Sequence, residues 1–167
     1  MNRMKELKPN ANSPYDQGYY KPNNPQKYKG LDKRIIFRSG LEFKFCKYCD
    51  EKDFIVEWVS EPFSIPYKHP FEKDEDGKPK THNYWFDFLI RKKEGNEIVT
   101  YIVEVKPKSL LVKPKPVPPT ANVKTRRNYN EKLKTIIINR TKAAAAASYA
   151  KARNFKYMFV TEDFFKN

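Results

Sequence analysis

The decapeptide EIVTYIVEVK, residues 97–106, constrains this chain more than any other stretch. Alternate side chains of a β-strand point to opposite faces. Val99, Tyr101, Val103 and Val105 then share one face, apolar or aromatic throughout, while Ile102, Glu104 and Lys106 share the other. The first face suits a core. The second carries an acid and a base side by side, a pairing that asks for a use as well as a fold.

The neighbouring segment repeats the oddity. YWFDFLI (84–90) reads as a strand, and the connection KKEGN makes it and residues 97–106 a hairpin. Tyr84, Phe86, Phe88 and Ile90 form one face, and Asp87 lies on the other between Trp85 and Leu89. Asp is disfavoured in strands. Taken alone, Asp87 reads equally well as an edge-strand charge or a structural hydrogen-bonding group. Upstream, RSGLEFKFCKYCD (38–50) reads as a helix with Ser39 as N-cap and Glu42 at the capping-box position. On a helical wheel Leu41, Phe43, Phe45, Cys46, Tyr48 and Cys49 form an apolar arc with Glu42 near its middle. A carboxylate there costs free energy unless it is paired or binds a metal. The local alternative is that Glu42 caps its own helix or reaches Arg38.

Asp87 and Glu104 can share a face of the hairpin, with Glu42 supplied by a helix packed on that face. Hard divalent cations such as Mg²⁺ take carboxylate oxygens, a carbonyl and water. Such an ion activates bound water and offsets charge on a phosphate. Lys106, two residues after Glu104, would stand beside it. E-x-K alone is common in any lysine-rich chain; its combination with two further acids on unexpected faces is more specific.

The charge balance fits that reading. Lys and Arg number 34 against 20 Asp and Glu, a net +14, which attracts polyanions and nucleic acid first among them. Hydrophobic residues make up 39% and aromatics 15%, enough for a real core. No run of 18 apolar residues marks a membrane span, and the basic N-terminus lacks the apolar stretch of a secretory signal. These features lead us to expect a protein that is intracellular or made inside a cell. Cys46 and Cys49 form C-x-x-C, but His69 and His82 do not have the spacing of a zinc site, so the cysteines read as small buried side chains.

Residues 1–30, rich in Pro, Asn, Lys and Tyr, show no period and read as an extended basic arm before a single domain at 31–167. Such an arm can track nucleic acid or dock on a protein ring. Further strands are expected at 54–59, 63–67 and 155–163, a polar connection at 68–83, a proline-broken stretch at 112–120 and a long helix at 128–153. The run of alanines at 143–147 is expected to cover the sheet. This order predicts an α/β domain with a mixed sheet flanked by helices.

Residues Phe86, Asp87, Glu104, Val105 and Lys106 together resemble the motif of the PD-(D/E)XK nucleases, with Phe86 where that superfamily usually has proline. RSGLE (38–42) resembles the glutamate helix of the transposon end-cleaving endonucleases within it. KPNNPQKYKG (21–30), FRSGLEFKFCKYCD (37–50), IVEWVSEPFSIPY (55–67), YIVEVKPK (101–108) and residues 128–165 are similar to the head completion nucleases of contractile-tailed phages. The resemblance implies a restriction-endonuclease-like core and a Mg²⁺-dependent deoxyribonuclease, with Mn²⁺ as a possible substitute. It implies Glu42, Asp87, Glu104 and Lys106 as the active site, with Asp87, Glu104, Val105 and Glu42 toward metal. It offers Arg38, Lys108 and Lys142 as contacts to double-stranded DNA. It further implies phage portal or neck proteins as partners and a place at the virion neck, reached from the host cytoplasm during assembly. Two alternatives stand beside it: a non-catalytic neck protein that binds DNA, and an endonuclease for transposon ends or junctions. No clustered Arg and Asn on a recognition helix speaks for the latter.

Overall fold

The computed structural model describes residues 16–31 and 34–166. In chain order the elements are β1 (Gly18–Tyr20), β2 (Ile35–Phe37), α1 (Gly40–Glu51), β3 (Ile55–Ser60), β4 (Ser64–Lys73), β5 (Pro79–Trp85), β6 (Phe88–Glu94), β7 (Glu97–Val105), α2 (Val123–Lys151) and β8 (Lys156–Val160). The central sheet runs β3-β6-β7-β8, antiparallel except for the parallel β7–β8 pair. A parallel pair needs a long crossover, and α2 supplies it. β1–β2 and β4–β5 are separate two-stranded ribbons. The mixed α/β sheet flanked by helices is the architecture expected above.

The alternation in β7 sorts two cores onto two faces. Val103 and Val105 pack with Phe88, Ile90, Trp58 and the α1 residues Phe45, Cys46 and Cys49. Ile102 packs with Phe86, Ile65 and the α2 residues Ala146 and Ala150 on the opposite face. The small alanine side chains let α2 lie close against the sheet. Both cysteines are fully buried and unbridged, and they act as small apolar groups of the α1 layer.

Four elements differ from the sequence expectation. Residues 84–90 are not one strand: β5 ends at Trp85 and β6 begins at Phe88. Tyr84 and Phe86 therefore face the α2 layer, while Phe88 and Ile90 face the α1 layer. The break falls at Asp87, where the chain leaves the β4–β5 ribbon for the central sheet, and the N–H of Glu61 donates to the Asp87 carbonyl at 2.9 Å. Secondly, the polar stretch 68–83 continues β4 and β5 as a ribbon paired from Ser64↔Trp85 to Lys73↔Pro79. It turns at Gly77, whose φ of 76° favours glycine. Residues 68–83 are mostly exposed on both faces, so this part of the ribbon had no apolar alternation to show.

Thirdly, α2 starts at Val123, because Asn122 caps it by accepting the Thr125 N–H at 2.8 Å. Fourthly, the described part of the expected arm belongs to the domain. β1 pairs with β2, and Tyr20 is buried in the α1 layer. The fully buried Asp50 near the end of α1 accepts the Tyr20 hydroxyl and the N–H groups of Asn23 and Asn24, at 3.0, 2.7 and 2.9 Å. Lys27 Nζ bridges the carbonyls of Asp50 and Lys52, each at 2.8 Å. Residues 1–15 of that arm lie outside the described residues. Among the described residues no helix is long and apolar enough to cross a membrane.

Candidate active site

The sheet places two acids and a lysine at the C-terminal end of β7. Glu104, only 5% exposed, and Lys106 project to the same side, and Lys106 Nζ meets Glu104 Oε1 at 2.8 Å. Asp87 arrives from the β5–β6 break, and its Oδ2 accepts the Val105 N–H at 2.7 Å. Its other flank is fixed by Glu61, whose φ of 44° is left-handed, unusual for a residue with a side chain. That conformation lets the Glu61 N–H reach the Asp87 carbonyl while the Glu61 carboxylate takes Arg38 through Nε and an NH2 nitrogen, at 3.0 and 3.2 Å. Nothing in the composition or periodicity of residues 60–62 signals this brace.

The charges oppose one another strongly. Burial first, then the Glu104 charge, hold Asp87 well above the usual carboxylate range, against the pull of Lys106. Burial works against the Lys106 ammonium, but Glu104, Asp87 and Glu42 outweigh it and raise its pKa. Lys142 of α2 feels the same group from the other side: burial and Lys106 lower it, with Glu104 and Asp87 opposing. Its Nζ lies 5.5 and 5.6 Å from the ring centres of Tyr67 and Tyr84.

Glu42 reaches this group by a route other than the expected one. α1 packs on the Val103/Val105 face, opposite to the face that Glu104 shares with Ile102, so the helix does not lie on the acids. Only its first turn comes near their edge. There the Glu42 oxygens accept the Ser39 hydroxyl at 3.0 Å and the Arg38 N–H at 2.7 Å. The Ser39 oxygen takes the Glu42 N–H at 3.2 Å. Burial nevertheless raises the Glu42 carboxyl, against those two hydrogen bonds. The local capping geometry and the nearness to Lys106 are thus both present.

Two proposed DNA contacts are engaged within the protein. The Arg38 guanidinium is held by Glu61. Lys108 Nζ meets Asp163 at 2.7 Å, and its N–H meets Glu162 at 2.9 Å. Phe86, at the position where proline is usual, is fully buried, edge-on to Phe63 at 4.8 Å.

All available donors here are oxygens, the set that hard cations take. Glu104 Oε2 is buried without a hydrogen-bond partner, and two carboxylates face one lysine. That imbalance fits an added positive ion. Among the described residues no group of three or more His, Cys, Asp or Glu side chains is gathered for a metal, so Asp87 and Glu104 form a two-carboxylate set.

Residues 52–162 match the family model described as TnsA-like endonuclease N terminal. Asp87, Glu104, Lys106 and Lys142 lie inside the match; Arg38 and Glu42 precede it. The head completion nuclease of Enterobacteria phage T4 is 32% identical over 147 residues, covering 87% of this chain and 91% of that protein. A two-carboxylate and lysine site at the end of a mixed, restriction-endonuclease-like sheet thus coincides with a match over more than half of the chain, and the protein belongs to the TnsA-like endonuclease family.

Proposed function

We propose that this protein is a Mg²⁺-dependent deoxyribonuclease that hydrolyses double-stranded DNA in phage head completion, at the head–tail joining step after packaging. The observation that carries the reading is the convergence of Asp87 and Glu104 on one half-buried lysine, Lys106, in a chain of net charge +14. Asp87, Glu104 and the Val105 carbonyl would hold the ion. When bound, it would lower the pKa of its water and offset charge on the phosphate.

The chain's own residues would do the rest. Lys106, fixed by Glu104, places a cation where the attacking water and the phosphate meet. Glu42 tunes that charge from the edge. Lys142, on the helix covering the acid face, contacts the DNA phosphates. The relative's name supports the place in phage assembly, and portal or neck proteins at the virion neck follow as partners from that reading.

Linear and supercoiled duplex DNA incubated with purified protein and Mg²⁺, beside Glu104→Ala and an EDTA control, tests the proposal. Degradation that requires metal and disappears in Glu104→Ala is expected. Equal degradation by the variant would remove Glu104 from the site. DNA binding without cleavage by any sample would turn the reading to a non-catalytic neck protein.

A further inference from the structure

Three buried side-chain atoms among the described residues lack a hydrogen-bond partner: Glu104 Oε2, the Tyr84 hydroxyl and Trp58 Nε1. A buried polar group left without a partner is destabilising, because it has given up its water for nothing in return. Trp58 lies in the α1 layer, edge-on to Tyr20 and Tyr28, away from the acids. The other two belong to one neighbourhood: Tyr84 packs with Ile102, on the face of β7 that also carries Glu104, and the charges of Glu104 and Asp87 act on its phenol. An orphaned donor thus stands near an orphaned acceptor, and the two are not bonded to each other.

Tyr84 is held in place. It is 6% exposed on β5, edge-on to Tyr67 at 5.9 Å, and Lys142 Nζ lies 5.6 Å from its ring centre. Burial and the two acids push its phenol up, so the hydroxyl keeps its proton and acts as a donor. The ligand that fits must bring an acceptor oxygen to Tyr84 and tolerate two nearby ammonium groups, Lys106 and Lys142. A phosphodiester does both.

Building on the nuclease reading above, we infer that Tyr84 contacts the substrate: its hydroxyl donates to a non-bridging oxygen of the scissile phosphodiester. Lys142, seated against the same ring, is positioned for the same phosphate. The role is hydrogen bonding alone; Tyr84 forms no covalent bond and transfers no proton.

Tyr84→Phe in the full chain tests this, since it removes only the hydroxyl. Three quantities are measured: single-turnover cleavage of a linear duplex with Mg²⁺, binding of the same duplex with Ca²⁺, and the thermal midpoint without DNA. Cleavage is expected to slow by about 10- to 100-fold, somewhat less than the loss of a fully preorganised oxyanion donor. The midpoint is expected to hold or rise, because the variant loses an unsatisfied buried group. Cleavage within two-fold of the parent would overturn the inference, and so would a clear fall in the midpoint, which would assign the hydroxyl a structural bond. If the parent protein itself cleaves nothing, the nuclease reading fails separately. Ca²⁺-supported binding then decides: affinity at least about three-fold weaker in Tyr84→Phe supports the contact, and equal affinity, including no binding by either protein, overturns it.

Discussion

The backbone N–H of Val105 donates to Asp87 Oδ2 at 2.7 Å, so the carboxylate at the break between two strands is clamped to the strand that carries Glu104 and Lys106. One hydrogen bond sets the spacing of the two acids, and the same closeness makes their charges repel. Asp87 is held well above the usual carboxylate range in the folded protein. The folded state therefore binds more protons than the unfolded chain between the ordinary carboxylate pKa and the raised one, and stability falls as pH rises through that window. Asp87→Asn keeps an acceptor for Val105 and removes the charge. In EDTA its thermal midpoint at pH 7 should exceed that of the parent and lose most of the parent's decline above pH 4, while cleavage falls by at least about 10³-fold. Identical pH profiles for the two proteins would contradict this account.

Mg²⁺ should reverse the penalty. A ligand that binds only the folded state stabilises it by RT ln(1 + [L]/Kd), about 2.7 kcal/mol at a hundred times Kd. Titrating Mg²⁺ into metal-free protein should raise the midpoint of the parent, with a much smaller rise in Asp87→Asn and in Glu104→Gln. An equal rise in all three would mean that the ion binds elsewhere.

Among the described residues, Lys106 is the one cation that forms an ion pair with the Glu104 carboxylate. Removing one partner of a largely buried ion pair costs about 3–5 kcal/mol. The Lys106 side chain is 26% exposed, so a loss nearer about 2 kcal/mol is expected for Lys106→Met in urea unfolding, with cleavage reduced at least about 10²-fold. Mg²⁺ should recover part of that stability, because it supplies the missing charge, without restoring the rate. Full recovery of the rate would show that Lys106 only balances charge.

Glu42 can be a helix cap, an active-site acid or both, and two substitutions separate the roles. Glu42→Gln keeps acceptor and donor atoms for Ser39 and Arg38 but has no charge. Glu42→Ala loses both, and the loss of such a cap costs about 1 kcal/mol. If the charge serves catalysis, Glu42→Gln unfolds like the parent yet cleaves at least ten-fold more slowly. If the residue only caps α1, Glu42→Gln is fully active and Glu42→Ala is merely less stable.

Glu104 and Lys106 were legible in the sequence because β7 is a regular strand whose alternation survives folding intact. Asp87 was legible as an anomaly but not as a bend: seven residues with perfect alternation read as one strand, and only the tertiary switch between ribbon and sheet reverses their faces. The same error hid Tyr84, which looked like core because its aromatic ring does pack there, while the function inferred for it rests on one oxygen atom. Glu42 stood out as a carboxylate in the middle of an apolar helical arc, with capping as the local alternative; neither pattern says which face of the sheet receives the helix. Glu61 gave no sign at all, since a left-handed turn at a glutamate is dictated by Asp87 and Arg38, residues far away in sequence. The distal part of the β4–β5 ribbon, within residues 68–83, escaped notice because exposed strands carry no hydrophobic period.

Asp50 explains how residues 20–24, which lack any periodicity, are tied to the domain. Its buried carboxylate has three donors, the Tyr20 hydroxyl and the N–H groups of Asn23 and Asn24, so local polar bonds replace the apolar pattern that a strand or helix would need. Asp50→Ala would strand all three donors, at about 1–3 kcal/mol for each that finds no water. The expected result is a fall in stability of about 3 kcal/mol in urea unfolding, with faster amide exchange confined first to residues 18–28 and to the end of α1. The acids at the end of β7 lie in another part of the fold, so Mg²⁺-dependent cleavage at low temperature should stay within about three-fold of the parent. Unchanged exchange at Asn23 and Asn24 in the variant would show that the segment is held by the packing of Tyr20 and Tyr28 against Trp58 rather than by the carboxylate.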